Sequence, residues 1–386
     1  VTARTALIVG AGIGGLSAGI ALRQAGWQIR IFERADSPRE LGFGVGLAPN
    51  AFVALGELGV ADTVLSRAYA PRRGELRRPD GTVLKRGELP PGTLGGPLVV
   101  ALRPALHGAL LDAVGADAIT LGHEVTGFST SGSRTALRFA DGSAVEGDLV
   151  IGADGMGSAI RRTLHPNEGP PRSSGLVAVR GAAHGALEHL DPLSAVYYLG
   201  RGIESMFVRA SDTGIYWFLS LSTSLLPAGM RDPGTIVSHM APRFDATFRA
   251  ITSATEDWRT DELVDRDPIQ PWSRGPVTLL GDAAHPVLPH TGQGAAQAIT
   301  DAVELRNALR SNTDLEAALR AYEDARRTKT AALLRQGRRT AAVMGSTSAL
   351  VSTARDVAIR LAPLETFAKI FMRINKRAGT DVRARA

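Results

Sequence analysis

Two hydrophobic periods divide the chain. Ala6-Leu7-Ile8-Val9 is an unbroken apolar run that predicts a buried strand. Gly14 to Ala25 follows at helical spacing, with small residues where a helix packs closely, and Gly26 ends it. Gln28 to Glu33 returns as a second strand. This βαβ opening predicts an open α/β sheet. Pro49 to Leu58 begins another helix, closed by Gly59, and Arg103 to Val114 returns to helical spacing.

Elsewhere the period drops to two. Residues 74–99 carry Gly, Pro and short alternating runs, which predict hairpins. Glu124 to Leu149 alternates around Asp141-Gly142, a hairpin turn signal. Leu149 to Gly155 resumes the first pattern. From about Pro171 to Asp267 the chain reads as strand-rich, most clearly at Tyr197-Tyr198, Ile203 to Arg209 and Ile215 to Leu221. Alternation puts Tyr216, Phe218 and Ser220 on one face, and Trp217, Leu219 and Leu221 on the other. Val277 to Leu280 is a buried strand of the first kind, and helices are predicted over 293–310, 314–343 and about 349–376.

Composition narrows the classes. The chain has 386 residues, enough for one large or two medium domains. No apolar run reaches membrane-span length, and no N-terminal stretch has signal-peptide layout, so stable membrane insertion is not expected. There is no cysteine, which excludes disulfides, thiolate metal sites and cysteine nucleophiles, and fits a cytoplasmic location. The net charge is +6, but the arginines are scattered, with a cluster in the C-terminal fifth, rather than concentrated in one basic patch, so no nucleic-acid partner is expected.

Two glycine-rich stretches carry the chemistry. Gly10, Gly12 and Gly15 have G-x-G-x-x-G spacing between a strand and a helix. Gly10 permits the tight turn, Gly12 lets a pyrophosphate approach, and Gly15 allows close helix–strand packing. The helix N-terminus, with Gly14 in its first turn, suits phosphates. Glu33 ends the second strand, where a carboxylate accepts hydrogen bonds from an adenosine ribose. Arg34 follows it and belongs to the same candidate site. The second stretch runs from Gly281-Asp282 to Gly292-Gln293-Gly294-Ala295. Asp282 follows a buried strand, where a carboxylate can accept hydrogen bonds, with a helix N-cap as the alternative. Gly292, Gly294 and Ala295 lead into a helix whose N–H groups suit the pyrimidine end of a flavin, which becomes anionic on reduction.

With Gly152-Ala153-Asp154-Gly155 through Arg161, and Leu102-Arg103-Pro104-Ala105-Leu106, these motifs run in one order over residues 6–305. In that order the sequence resembles the class A FAD-dependent aromatic monooxygenases, the para-hydroxybenzoate and salicylate hydroxylase type. The resemblance implies an α/β fold: a Rossmann-like FAD-binding domain, an inserted, mostly antiparallel β-sheet substrate domain, and C-terminal helices. The expected division is 1–73, 100–170 and 268–330 for FAD, 74–99 and 171–267 for substrate, and 331–386 as a helical segment. Arg103 is expected to neutralise the pyrophosphate, with a surface salt bridge as the alternative. Val125 is expected against adenine, with a core position as the alternative. Asp154 and Arg161 are expected to form one network, with Asp154 as a simple turn residue the alternative.

The implied reaction uses NADPH or NADH to reduce FAD, and O2 to form a flavin C4a-hydroperoxide that oxygenates a small aromatic substrate. The flavin supplies the hard chemistry, so no catalytic triad and no metal are expected. The substrate pocket is expected between the Pro289–Gly294 loop and one face of the inserted sheet. His290 is the candidate to deprotonate a phenol, with a solvent-facing loop histidine as the alternative. Tyr216 and Arg209 are further catalytic candidates, and Met206, Phe218 and Pro289 line the expected pocket. His285 is expected to be structural.

Other flavin chemistries stay in view. Trp27, Trp217, Trp258 and Trp272 form no Trp-x-Trp pair, which counts against a halogenase. A reductase or dehydrogenase of the same fold acting on a lipid or polyketide is one alternative. Ile370, Phe371 and Ile374 beside Lys369, Arg373 and Lys376 would be its membrane-touching face. A non-catalytic dinucleotide sensor is the other. The expected assembly is a monomer or homodimer.

Overall fold

A computed structural model describes residues 4–37, 43–88, 94–131, 134–363, 365–366, 369–370 and 372–373. The chain opens as β1 (Thr5–Val9), α1 (Ile13–Gln24) and β2 (Gln28–Phe32), then β3 (Gly44–Leu47), α2 (Pro49–Glu57), α3 (Ala61–Ser66) and β4 (Ala68–Tyr69). A hairpin, β5 (Arg73–Arg77) and β6 (Val83–Glu88), precedes β7 (Val99–Leu102), α4 (Arg103–Val114) and β8 (Ile119–Thr120). A meander follows, β9 (Val125–Ser131), β10 (Arg134–Phe139) and β11 (Ala144–Gly147), then β12 (Leu149–Gly152) and α5 (Ala159–Leu164). Next come β13 (Arg172–His184), β14 (Ser194–Leu199), β15 (Ile203–Arg209), β16 (Gly214–Ser222), α6 (Pro233–Met240), α7 (Ala246–Ser253) and β17 (Thr255–Asp265). The chain closes with β18 (Val277–Leu279), α8 (Gly294–Ser311), α9 (Leu315–Met344) and α10 (Ala349–Leu361).

The βαβ pattern gives a parallel five-stranded sheet of order β18-β12-β1-β2-β8. The period-two segments give a seven-stranded sheet of order β17-β13-β16-β15-β14-β5-β6. All its pairings are antiparallel except β14 with β5. The Rossmann-like sheet, the second, mostly antiparallel sheet and the C-terminal helices are therefore all present. Each sheet has its own core. Leu7, Ile8, Ile31 and Ile151 lie in the first, and Phe207, Trp217, Leu219 and Phe248 in the second.

Two expectations need correction. The strand-rich stretch after β16 contains α6 and α7. Asp232 and Asp245 cap them, accepting from Thr235 N (2.7 Å) and Phe248 N (3.0 Å). Ile236, Val237 and Met240, then Phe248 and Ile251, recur at helical spacing and pack on the Trp217 face of the sheet. The expected helix over 349–376 is broken after Leu361, because Pro363 cannot continue the backbone ladder and disfavours helical geometry before it. Ile370, Lys369 and Arg373 lie beyond that break, while Phe371, Ile374 and Lys376 lie outside the described residues.

The sheets meet through β3. A Cβ on Gly44 would lie 2.3 Å from Cγ of Tyr216, so only glycine lets that ring lie under the strand. Gly44→Ala is expected to destabilise the fold by about 1–3 kcal/mol through overpacking. Placing it in a Tyr216→Ala background is expected to remove most of that penalty. Chemical denaturation of the double-mutant cycle checks this; an equal penalty in both backgrounds would separate Gly44 from Tyr216.

Candidate functional site

Three glycine-bearing motifs, in chain order Gly10–Gly15, Gly152–Arg161 and Leu280–Ala295, converge at the ends of the parallel strands. A Cβ on Gly15 would fall 1.8 Å from the Gly10 carbonyl oxygen, and one on Gly10 would fall 2.6 Å from that of Ala153. Gly14 faces the third motif, its Cβ position 3.0 Å from Leu280 and 3.4 Å from Ala298. Ala153 N donates to Val9 O and Leu280 N to Gly152 O, both at 2.9 Å. First-motif turn, second-motif strand end and third-motif turn thus form one surface.

That surface is shaped for a nucleotide. Gly12 is the N-cap of α1 and contributes no side-chain cap. Cβ atoms on Gly12, Gly292 and Gly294 would meet nothing within 4 Å. A backbone cradle with open space over two helix N-termini fits phosphate at α1 and an anionic ring edge at α8. Glu33 accepts from Ala11 N (2.9 Å) and Ala35 N (3.0 Å), which ties the end of β2 to the glycine turn. Asp282 opens onto the cleft, walled in by protein on its other sides. Burial raises its carboxyl pKa, against His285 and Arg103. Arg103 begins α4, and its charge acts on both Asp282 and Tyr216. Arg34 is exposed at the rim. Two open helix N-termini with the carboxylates of Glu33 and Asp282 beside them fit a dinucleotide cofactor such as FAD.

The second sheet turns one face toward this cleft. Tyr216 pairs with Val208, Phe218 with Met206, and Ser220 with Glu204, so these side chains share a face. Met206 and Phe218 pack with Tyr216, Phe43 and Val100. Arg209 falls on the opposite face, beside Ile215, and donates to Leu187 O at 3.0 Å. The odd register of Arg209 thus corrects its placement with Met206 and Phe218.

His290 sits in a short 3-10 turn with exposed Pro289, just before α8. Its side chain is only 2 % exposed, so it is not a solvent-facing loop residue. Its Nε2 lies 3.4 Å from Oε2 of Glu204, which is also buried. Glu204 Oε2 and His290 Nδ1 have no hydrogen-bond partner among the described residues. Burial pushes the Glu204 carboxyl up to about 8, with Arg355 acting the other way. Burial, then Arg180, pushes His290 down to about 4. Near neutral pH the two are therefore mostly a neutral acid beside a neutral base, not an ion pair.

Other expected residues make the following contacts within the protein. Asp154 accepts from Ala159 N, the first residue of α5, at 2.7 Å rather than pairing with the Arg161 guanidinium, while Ser158 caps α5 by accepting from Arg161 N at 2.9 Å. Arg161 instead holds Glu168 at 2.6 Å and donates to the carbonyls of Ala283 and Ala284, both at 3.0 Å. Val125 is buried in the first core. Ala295 packs against that core in the first turn of α8. His285 meets Asp301 at 2.6 Å. Glu204 and Arg180 escaped sequence reasoning, although Glu204 lies two residues before Met206 on the same strand. Among the described residues no His/Cys/Asp/Glu group could hold a metal, and no helix is long and apolar enough to cross a membrane.

The family described as "FAD binding domain" matches residues 3–337. The chain is 35% identical over 333 residues to aurachin C monooxygenase/isomerase of Stigmatella aurantiaca, covering 84% of this chain and 85% of that one. It is 32% identical to 3-hydroxybenzoate 6-hydroxylase 1 of Aquipseudomonas alcaligenes, covering 84% and 85%. Klebsiella pneumoniae HpxO, solved with FAD and uric acid, superposes with a TM-score of 0.89 at 27% identity, covering 97% of each chain.

The neutral pair predicts a pH dependence of stability. The folded-state pKa of Glu204 lies above its unfolded value, so its contribution is fully present in acid. That contribution is lost as pH rises from the normal carboxylate range through about 8. Glu204→Gln stays neutral throughout. The variant is expected to gain Tm relative to wild type progressively between pH 5 and pH 9. A Tm difference that stays flat across that range in thermal melts would rule out a buried, titrating Glu204.

Proposed function

The chain belongs to the class A FAD-dependent aromatic monooxygenases, and from that footing we propose which residues do the work and on what. The enzyme takes electrons from NAD(P)H and puts one oxygen atom of O2 into an aromatic small molecule. FAD, when bound, supplies the redox and oxygen chemistry. The observation that carries our reading is that the turn before α8 reaches the Met206, Tyr216 and Phe218 face of the second sheet, with His290 3.4 Å from Glu204 on that face.

In this proposal residues 1–73, 100–170 and 268–330 bind FAD, while 74–99 and 171–267 supply the substrate wall. The expected boundary at 330/331 falls inside α9, which with α10 supplies the C-terminal helices. Gly12 and the first turn of α1 hold phosphate, Glu33 the adenosine ribose, and Arg103 balances the pyrophosphate charge. Asp282 accepts from the ribityl hydroxyls, and the N–H groups at Gly292 to Ala295 face the ring.

The substrate we propose is a planar phenolic or heteroaromatic molecule, lying against Met206 and Phe218 with its polar edge at His290. The apolar face suits an aromatic ring, and the recessed, unpartnered imidazole nitrogen suits one polar group. The named relatives act on molecules of this kind: 3-hydroxybenzoate, and uric acid bound in HpxO. A cytoplasmic monomer or homodimer without nucleic-acid partners belongs to the same proposal, because the reaction draws on a nicotinamide pool.

The purified protein is expected to be yellow, or to become so with added FAD. It is expected to oxidise NADPH or NADH faster when the right member of an aromatic library is present, with a product heavier by one oxygen. A colourless protein that cannot be reconstituted would end the proposal. Asp282→Ala is expected to weaken FAD binding roughly tenfold to a hundredfold, as removal of hydrogen bonds to a charged group does. Fluorescence titration measures this, and wild-type affinity in the variant would take Asp282 out of the site.

A further inference from the structure

The large apolar side chains left in the open are gathered at one end of the chain. Ten are exposed among the described residues, and seven of these fall between Val343 and Met372. α10 carries most of them. Leu350, Val357 and Leu361 stand 81 %, 48 % and 79 % exposed, with exposed Ala354 between them. Their spacing of four, three and four residues puts all four in one stripe along the helix. Val351 and Ala358, also exposed, widen it. A contiguous apolar patch of this kind marks an interaction surface, whereas single exposed residues need no explanation.

The helix is held in that orientation by its polar residues. Its buried residues are Ser352, Asp356 and Ile359, so it keeps its carboxylate inside and its leucines outside. Asp356 accepts from Arg78 Nε and Arg355 Nη2, both at 2.9 Å. Ile359 packs with Leu84 of β6 and Leu199 of β14. Lys85 donates to the carbonyls of Arg360 and Ala362, fixing the C-terminal end. Rolling the leucines inward would break the Asp356 pairs and leave buried charge without its partner. The stripe is therefore a fixed outer surface, not a core face left half-packed.

We infer that α10 attaches the protein to the surface of an anionic lipid bilayer, lying flat with Leu350, Ala354, Val357 and Leu361 at the acyl boundary. At 13 residues it is about 20 Å long, too short to span a bilayer. Cations flank the stripe. Arg360 is exposed at its edge, and Lys369 and Arg373 are exposed beyond it, with Glu365 facing Lys369 at 3.6 Å. The sequence from 374 to 386 adds Lys376, Arg377, Arg383 and Arg385 against Asp381 alone. An apolar stripe bordered by cations matches acyl chains bordered by anionic headgroups. A second copy of this chain fits less well, because a two-fold contact would bring the same basic residues together. α10 lies on the β14-β5-β6 end of the second sheet, so attachment turns that end of the sheet toward lipid.

The test mixes the FAD-loaded protein with vesicles of phosphatidylcholine containing about one-third phosphatidylserine, or of phosphatidylcholine alone, and separates bound protein by flotation. Wild type is expected to float with the anionic vesicles and to bind the neutral ones roughly tenfold less or weaker still. Leu350→Asp combined with Leu361→Asp is expected to cut binding to the anionic vesicles roughly tenfold or more, with bound FAD and Tm unchanged because both side chains stand in solvent. Arg360→Gln, a milder change, is expected to weaken binding about fivefold. Wild type that does not float overturns the inference, as does equal binding to both vesicle types or a double variant that floats as wild type does. A lipid-free homodimer in sedimentation that the double variant abolishes also overturns it, and gives the stripe to a second copy. Flotation is read whether or not any aromatic molecule is turned over, so the inference stands or falls apart from the proposed reaction.

Discussion

The buried carboxylate of Asp301 is the contact on which the cleft depends. From within α8 it accepts from Gly281 N at 2.9 Å, meets His285 Nε2 at 2.6 Å, and accepts from Arg326 of α9 at 2.6 Å. Burial alone would raise its pKa. His285 and Arg326 outweigh that and hold it below the usual carboxylate range. An ion pair this deep adds little net stability over an apolar replacement, yet losing either partner leaves a stranded charge. Its effect is geometric: it fixes the turn bearing Asp282 onto the helix whose N-terminus is the ring end of the cradle. Arg326 also reaches Gln297 at 2.6 Å, while Gln293 holds Asn50 at 2.8 Å, so the start of α8 is tied to α9 and α2.

A second constraint is steric. Phosphate-binding turns work only where backbone approaches backbone, and here three segments distant in sequence do so at once. Gly10 lies over Ala153, and Gly14 lies against Leu280 and Ala298. Gly12, Gly292 and Gly294 have the opposite surroundings, with open space where a side chain would be. One set of glycines closes the protein against itself, and the other keeps the cradle open. Gly44 does the closing job again between the two sheets, under Tyr216.

The legible part of this chain was the part with local period. β1, α1 and β2 follow directly from an apolar run, helical spacing and Gly26, and alternation assigned Tyr216 and Phe218 to one face before any register was known. Reading failed where long-range geometry decided. Asp154 and Arg161 sit in one motif, yet Asp154 holds the first backbone N–H of α5 and the Arg161 guanidinium crosses to the carbonyls of Ala283 and Ala284. Arg209 suited an acidic substrate by chemistry, but its odd place on β15 sends it away. α6 and α7 were hidden among strands because each is a short helix. Glu204 was the harder miss. An acidic residue inside an apolar strand looks like a surface position until the sheet is known to be covered on both faces.

That covering explains why Glu204 informs the chemistry. The far face of the second sheet packs against α6 and α7, so its near face could have been wholly apolar at no structural cost. A carboxyl there, with an unsatisfied oxygen, costs about 1–3 kcal/mol relative to a satisfied group. Local rules are broken mainly where function compensates for the loss. The same holds for His290, whose ring is buried although its turn lies at the surface. Two such exceptions on separate elements, 3.4 Å apart beside the open end of α8, are hard to assign to packing. Desolvation keeps that imidazole uncharged near neutral pH, so it can meet an uncharged polar group of a bound molecule as either donor or acceptor.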